Sequence, residues 1–156
     1  MELRDVLNVD TILVDWNPVT KDEAIADLVE ALDRAHLCSD RDQVLRDVKE
    51  REASLSTGLE DGIAYPHARS DGVEEVAMAF GIVSNGIQFD SRDKKPALFI
   101  PMMVSPKRGG TPHIYFMAEI VKLLEQQEIR EQLLHSDSPE KVYNILTQNE
   151  GNSVNT

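Results

Sequence analysis

Cysteine is nearly missing from this chain: Cys38 stands alone among 156 residues. That excludes an internal disulfide and a cysteine-based zinc site, and a reducing cytoplasm is the expected compartment. Long apolar runs are lacking too. The longest, Ala97-Leu-Phe-Ile-Pro-Met-Met-Val104, falls far short of the roughly 20 residues a spanning helix needs, so direct membrane insertion is not expected. The start of the chain has no basic segment followed by an apolar core, and no secretory signal is expected. Positive charge is scarce: 16 Lys and Arg against 28 Asp and Glu give a net charge of −12, which argues against a nucleic-acid partner. Among His36, His67, His113 and His135 there is no paired metal-ligand spacing, and no HExxH occurs. The glycine-rich phosphate loop, the GxGxxG dinucleotide fingerprint and the serine nucleophile elbow are all absent. Neither a metal nor another cofactor is expected.

What remains is a chain 41% hydrophobic and 28% charged, enough to close one core. We expect a single domain over residues 1–150 and a polar tail over 151–156. The charge is unevenly spread. Residues 1–61 hold 16 acids and 7 bases and residues 119–156 hold 7 and 3, whereas residues 62–118 hold 5 and 6, a net of +1. From Lys94 to Ala118 there is no acid at all. A buried central sheet with charged helices around it accounts for this pattern, and so does a site where an anion dwells.

Local patterns supply the elements. Thr11–Trp16 reads as a short strand or extended entry. Thr20 with Glu23 forms a capping box ahead of Ile25, Leu28, Val29, Leu32 and Ala35, predicting a helix over 21–36. Ser39 or Asp40 caps a second helix running to about Arg51. Three strands are predicted next: Gly62–Tyr65, stopped by Pro66; Val76–Val83, ended by a turn at Ser84-Asn-Gly86; and Ala97–Val104, with a local irregularity at Pro101. Thr111 and Pro112 open a helix at His113, and Ser138-Pro139 opens a last one. Helices, then strands, then helices give an α/β chain, a three-layer α/β/α sandwich around a mixed parallel and antiparallel sheet.

The chemistry-bearing residues sit in the acid-poor middle and just before it. His67 follows Pro66, which stiffens the approach to the ring. A neutral imidazole, with its ordinary pKa near 6.5, is able to act as a covalent nucleophile. Arg69 shares its face if the strand alternation holds. His113 lies at a helix start, where unpaired N–H groups and the dipole attract anions and disfavour the imidazolium form. Arg51 closes a helix upstream and carries the side chain best matched to phosphate oxygens. Each also has a plain structural reading: a loop histidine, a helix-start histidine packed on its own loop, a solvated helix-end arginine.

Taken together, Arg51-Glu-Ala-Ser-Leu-Ser-Thr-Gly58, Gly62-Ile-Ala-Tyr-Pro-His67, Gly86-Ile-Gln-Phe89 and Pro112-His113 resemble the enzyme IIA domains of the bacterial phosphotransferase system. The match is to the fructose/mannitol type, which includes nitrogen-regulatory paralogues, and it spans roughly residues 5–148. The resemblance implies that His67 is the phosphoryl acceptor, carrying a tele-phosphohistidine. It would be charged by the phosphocarrier protein HPr and discharged to an enzyme IIB, and through it serve a membrane IIC permease. It also implies that His113 and Arg51 stabilise the phosphoryl group, without a metal. Two departures stand out. Glu60 replaces a common glycine, so that Glu60 and Asp61 put acids near the site, and Tyr65 replaces a small aliphatic residue. Three readings follow: a sugar phosphocarrier, a regulatory protein whose phosphorylation state controls protein partners, and a binding module that kept the fold without the chemistry.

Overall fold

The computed structural model describes residues 2–108 and 113–151. The predicted cap at Thr111 and Pro112 and the end of the polar tail lie outside the described residues. In order, the elements are α1 (Leu3–Val6), β1 (Leu7–Leu13), α2 (Lys21–Arg34), α3 (Arg41–Ser54), β2 (His67–Arg69), β3 (Ala77–Ile87), β4 (Ala97–Ser105), α4 (His113–Leu124), α5 (Gln127–Leu134) and α6 (Pro139–Gln148).

The strands form one mixed sheet in the order β1-β3-β4-β2. β1 and β3 are parallel, β3 and β4 antiparallel, and β4 and β2 parallel. Alternation along the strands makes the two faces. Met78, Phe80 and Ile82 of β3, with Phe99 and Met103 of β4, pack with Phe116, Ile120, Ile129, Leu133, Val142 and Leu146 of α4, α5 and α6. Ala77, Ala79, Ile100, Met102 and Val104 turn the other way, onto Ile25, Leu28, Leu32, Val44 and Val48 of α2 and α3. The result is the expected three-layer α/β/α sandwich. Among the described residues no helix is long and apolar enough to cross a membrane.

Helix starts follow their capping chemistry. The Thr20 hydroxyl accepts from Glu23 N at 3.1 Å, Asp40 from Gln43 N at 3.1 Å, and Ser138 from Lys141 N at 3.3 Å. Such caps are each worth about 1 kcal/mol. α2 ends at Arg34, two residues before the predicted limit. Helix α5 is not separated by any predicted boundary in the sequence. Its N-cap, Gln126, makes no side-chain cap bond, so no local signal marks that start.

Three strand predictions need correction. β1 begins at Leu7 rather than Thr11 and ends at Leu13. β3 runs on through Ser84-Asn-Gly86 to Ile87. Between the pairs Ile82↔Phe99 and Ile87↔Ala97, five steps on β3 face two on β4. Residues 84–86 are therefore an irregularity within the strand, with Gly86 at φ 76°, and the chain reverses only after Ile87.

The third correction concerns prolines. Gly62–Tyr65 is no separate strand, and His67 opens β2 rather than following a finished element. Ile63 bridges Phe99, and His67 pairs with Met103; four steps on each side keep one register throughout. Phe99 N donates to Gly62 O (2.9 Å), Ala64 N to Phe99 O (3.1 Å), and Met103 N to Pro66 O (3.1 Å). The two rungs between these would need N–H donors from residues 101 and 66, and both are proline. Pro101 itself holds its place opposite Phe80. The predicted irregularity thus lies on the neighbouring ladder to β2, as missing donors rather than a slipped register.

Candidate functional site

His67 begins the edge strand β2, where the interrupted ladder resumes. Ala68 is buried on the α2/α3 side and Arg69 is exposed. His67 and Arg69 both line a cleft of about 620 Å³ together with Asp47, Glu50, Arg51, Ala68 and Ile114. On its other side the His67 ring borders an apolar groove of about 340 Å³ lined by Leu59, Tyr65, Ile114, Met117, Ala118 and Val121. The imidazole therefore stands between a polar, arginine-bearing cleft and an apolar wall.

Tyr65 holds the ring through two of its contacts. Tyr65, two residues back on the same face, stacks on it with centroids 5.1 Å apart and planes 7° from parallel. The Nδ1 atom lies 3.0 Å from the Tyr65 carbonyl oxygen. A carbonyl only accepts, so Nδ1 carries the proton and the lone pair resides on Nε2. The nitrogen that keeps the lone pair is thus set by the backbone carbonyl.

Burial lowers the His67 pKa below its ordinary value, the Tyr65 carbonyl pulls the other way, the Arg51 charge lowers it further, and Glu52 raises it. The net direction is down, so the neutral ring persists below the ordinary histidine range. We expect the His67 titration in NMR to show a midpoint below about 6.5; a midpoint at or above that value would contradict the burial argument. The linked stability term is complete above the ordinary value and is lost as pH falls through it toward the folded-state pKa, because the unfolded chain then binds the proton more readily.

Arg51 sits in the last turn of α3, and one of its guanidinium nitrogens donates to Leu55 O at 3.0 Å. Its charge acts on His67 and its side chain lines the same cleft. Arg69 donates to Pro106 O at 3.4 Å, and the exposed Lys107 and Arg108 follow on that loop. His113 opens α4; its side chain lies outside the described residues. Its neighbour Ile114, 83% exposed, lines both clefts, so the N-terminal end of α4 borders the site, where a helix dipole favours an anion. Among the described residues no group of three or more His, Cys, Asp or Glu is placed to hold a metal.

The acids Glu60 and Asp61 stand away from the ring. Leu59 N donates to Ile63 O at 2.8 Å, which closes a tight turn with Asp61 at φ 59° and Gly62 at φ 78°. Both acids are exposed at its tip. From Ile63 to His67 the extended chain covers about 13 Å. Arg51 and Glu52 are among the charges that act on His67.

Glu52 was not singled out from the sequence. Its carboxylate is 5% exposed and meets Lys21 Nζ at 2.7 Å. It also accepts from Thr57 N at 2.8 Å and Thr57 Oγ1 at 2.6 Å. Ser56 Oγ ties the same loop to Phe89 O at 2.8 Å. Gly58 closes the packing, since a Cβ there would stand 2.6 Å from Phe89 O and 2.8 Å from Ser91 Cα.

Comparison with known proteins identifies relatives of the whole chain. Residues 5–149 match the family described as phosphoenolpyruvate-dependent sugar phosphotransferase system, EIIA 2. The chain is 32% identical over 151 residues to the PTS system fructose-specific EIIA component of Haloferax volcanii, covering 95% of this chain and 98% of that protein. It is 31% identical over 150 residues to the PTS system fructose-specific EIIABC component of Bacillus subtilis, and there spans only 24% of the relative's length. The crystal structure of Nitrogen Regulatory Protein IIA-Ntr from Neisseria meningitidis superposes with a TM-score of 0.82 at 29% identity, covering 92% of this chain and 97% of that one.

Proposed function

This chain belongs to the EIIA 2 family of the phosphoenolpyruvate-dependent sugar phosphotransferase system, and on that footing we propose that it is a phosphocarrier whose His67 Nε2 is the phosphoryl acceptor. The donor is phospho-HPr, and the group passes on to a cysteine or histidine of an enzyme IIB that serves a membrane permease. The carrier itself works in the cytoplasm. The observation that carries this reading is the Nδ1 contact to the Tyr65 carbonyl, which leaves the Nε2 lone pair on a ring bordering the Arg51 cleft.

In the transfer, the Nε2 lone pair attacks phosphorus while the donor's P–N bond breaks and its electron pair returns to the donor ring. Positive charge that develops on the His67 ring is offset through its Nδ1–H bond to Tyr65 O. The Arg51 guanidinium and the start of α4 meet the charge spread over the phosphoryl oxygens, which is most of what phosphoryl transfer asks of a protein. The same contacts serve the onward step in reverse order. His113 takes part in stabilising the group, as the resemblance of Pro112-His113 to the family implies.

With phosphoenolpyruvate, enzyme I and HPr, the protein is expected to gain one acid-labile phosphate. No label under matched-partner conditions would refute the carrier reading. Arg51→Ala is expected to slow phosphorylation by about 10²-fold, the scale set by removing one preorganised donor to a developing anion. His113→Ala is expected to retain some phosphorylation of His67 but slow onward transfer to enzyme IIB; unchanged rates in both steps would remove its role.

A second reading is favoured by the likeness to Nitrogen Regulatory Protein IIA-Ntr: phosphorylation at His67 controls binding of regulatory proteins. Partner capture that differs between phosphorylated and unphosphorylated chain, with no transfer to any enzyme IIB, would select it.

A further inference from the structure

We propose that Glu52 and Thr57 form one buried node that positions both His67 and Arg51, and that its task is to hold the His67 ring in its Nδ1-protonated form. Neither residue touches the phosphoryl group; they are positioning residues. The inference rests on the phosphocarrier reading for its rate consequence, whereas its tautomer consequence stands without it.

Two short chains of contacts leave the node. On one, the Glu52 carboxylate accepts from Thr57 N and Oγ1 at 2.8 and 2.6 Å, the Thr57 carbonyl accepts from Tyr65 N at 3.3 Å, and the Tyr65 carbonyl accepts from His67 Nδ1 at 3.0 Å. On the other, the 55–58 loop held at Thr57 carries the Leu55 carbonyl, which fixes the Arg51 guanidinium at 3.0 Å. Arg51 and Glu52 are neighbours on the last turns of α3 and point to opposite ends of that loop. One carboxylate thus sets the loop that aims the arginine and the strand that orients the histidine.

The loop needs such a clamp. Leu55 is 69% exposed and adds little packing, Ser56, Thr57 and Gly58 are small, and helix α3 ends at Ser54. A buried carboxylate is costly to keep, and one with Lys21 and two Thr57 donors about it is retained where it fixes a geometry. Free imidazole favours the opposite tautomer, with the proton on Nε2, so a loosened Tyr65 carbonyl lets the proton shift onto the attacking nitrogen. That change removes the lone pair the transfer needs.

The test uses the full chain with Thr57→Val, Thr57→Ser and Glu52→Gln. Imidazole ¹⁵N shifts, recorded above the His67 titration, report the tautomer. Phosphoramidate serves as a partner-free donor: His67 Nε2 attacks phosphorus, the P–N bond breaks, and the leaving nitrogen takes a proton to depart as ammonia. Thr57→Val is expected to mix the tautomers and slow this reaction by about tenfold, within the range a sub-ångström misplacement produces. Thr57→Ser restores both, and Glu52→Gln gives the Thr57→Val result should that variant fold poorly. Wild-type tautomer and rate in Thr57→Val and Glu52→Gln would overturn the proposal. Loss of rate with an unchanged tautomer would overturn the locking role. Failure of the wild-type chain itself to accept phosphate counts against the phosphocarrier reading, and the ¹⁵N shifts then still decide this one.

Discussion

A chain with alanine at position 67 is expected to take up no phosphoryl group from phospho-HPr, with a rate at least about 10³-fold below the parent. In the proposed transfer the imidazole is the covalent partner, so its loss is expected to remove the reaction. Arg51 and Arg69 carry guanidinium groups suited to an anion, and neither is a nucleophile. The fold should survive the change. His67 is half-buried on a strand whose backbone pairing, His67↔Met103, does not depend on the ring. The Nδ1 hydrogen bond and the stack on Tyr65, which go with the ring, are together worth about 1–2 kcal/mol. The measurement is label incorporation alongside a melting curve. Label persisting in a folded His67→Ala chain would move the acceptor elsewhere.

Lys21→Met should cost far more stability than an ordinary surface charge. Lys21 is the first residue of α2, where the helix dipole disfavours a cation; its place is explained by what it reaches. The ammonium lies 2.7 Å from the buried Glu52 carboxylate and 4.8 Å above the centre of the Phe89 ring, with exposed Asp90 at 3.6 Å. Removing it leaves Glu52, 5% exposed, with only the Thr57 donors. Breaking a buried pair in this way costs about 3 kcal/mol. For a chain of this size that lowers the melting midpoint by roughly 10 °C. Denaturant unfolding at constant m-value checks it. Lys21→Met combined with Glu52→Gln should recover much of the loss, since the uncompensated charge goes with the second change. A single-variant effect below about 1 kcal/mol would class the pair with exposed ion pairs.

These two sites differ in how far the sequence announced them. His67 was legible because its signal is local: an apolar run, a proline, a histidine, and an arginine two residues on that strand alternation returns to the same cleft. The helix at 21–34 was legible for the same reason, through Thr20, Glu23 and apolar residues at helical spacing. The start of β2 was hidden because it depends on two distant prolines, Pro66 and Pro101, removing adjacent rungs of one ladder. The run through Ser84-Asn-Gly86 looked like a hairpin turn, yet the strand absorbs the extra residues and reverses later. Glu52 was hidden most completely. In sequence it is one acid among many on a charged helix end; only the fold brings Lys21, 31 positions upstream, and Thr57 around it. The one available hint was a carboxylate beside Arg51 followed by a short hydroxyl-rich loop. Glu60 and Asp61 were conspicuous by nearness in sequence, but the tight turn at 59–63 carries them away from the ring.

In the proposed transfer, Nε2 of His67 accepts the phosphoryl group because the Tyr65 carbonyl holds the proton on Nδ1. Uniformly ¹⁵N-labelled protein, phosphorylated through phosphoenolpyruvate, enzyme I and HPr, tests it by ³¹P and ¹⁵N NMR. A single phosphorus signal coupled to Nε2 of His67, with Nδ1 still protonated, is the expected result. Phosphorus bound to Nδ1, or to any other residue, would contradict it.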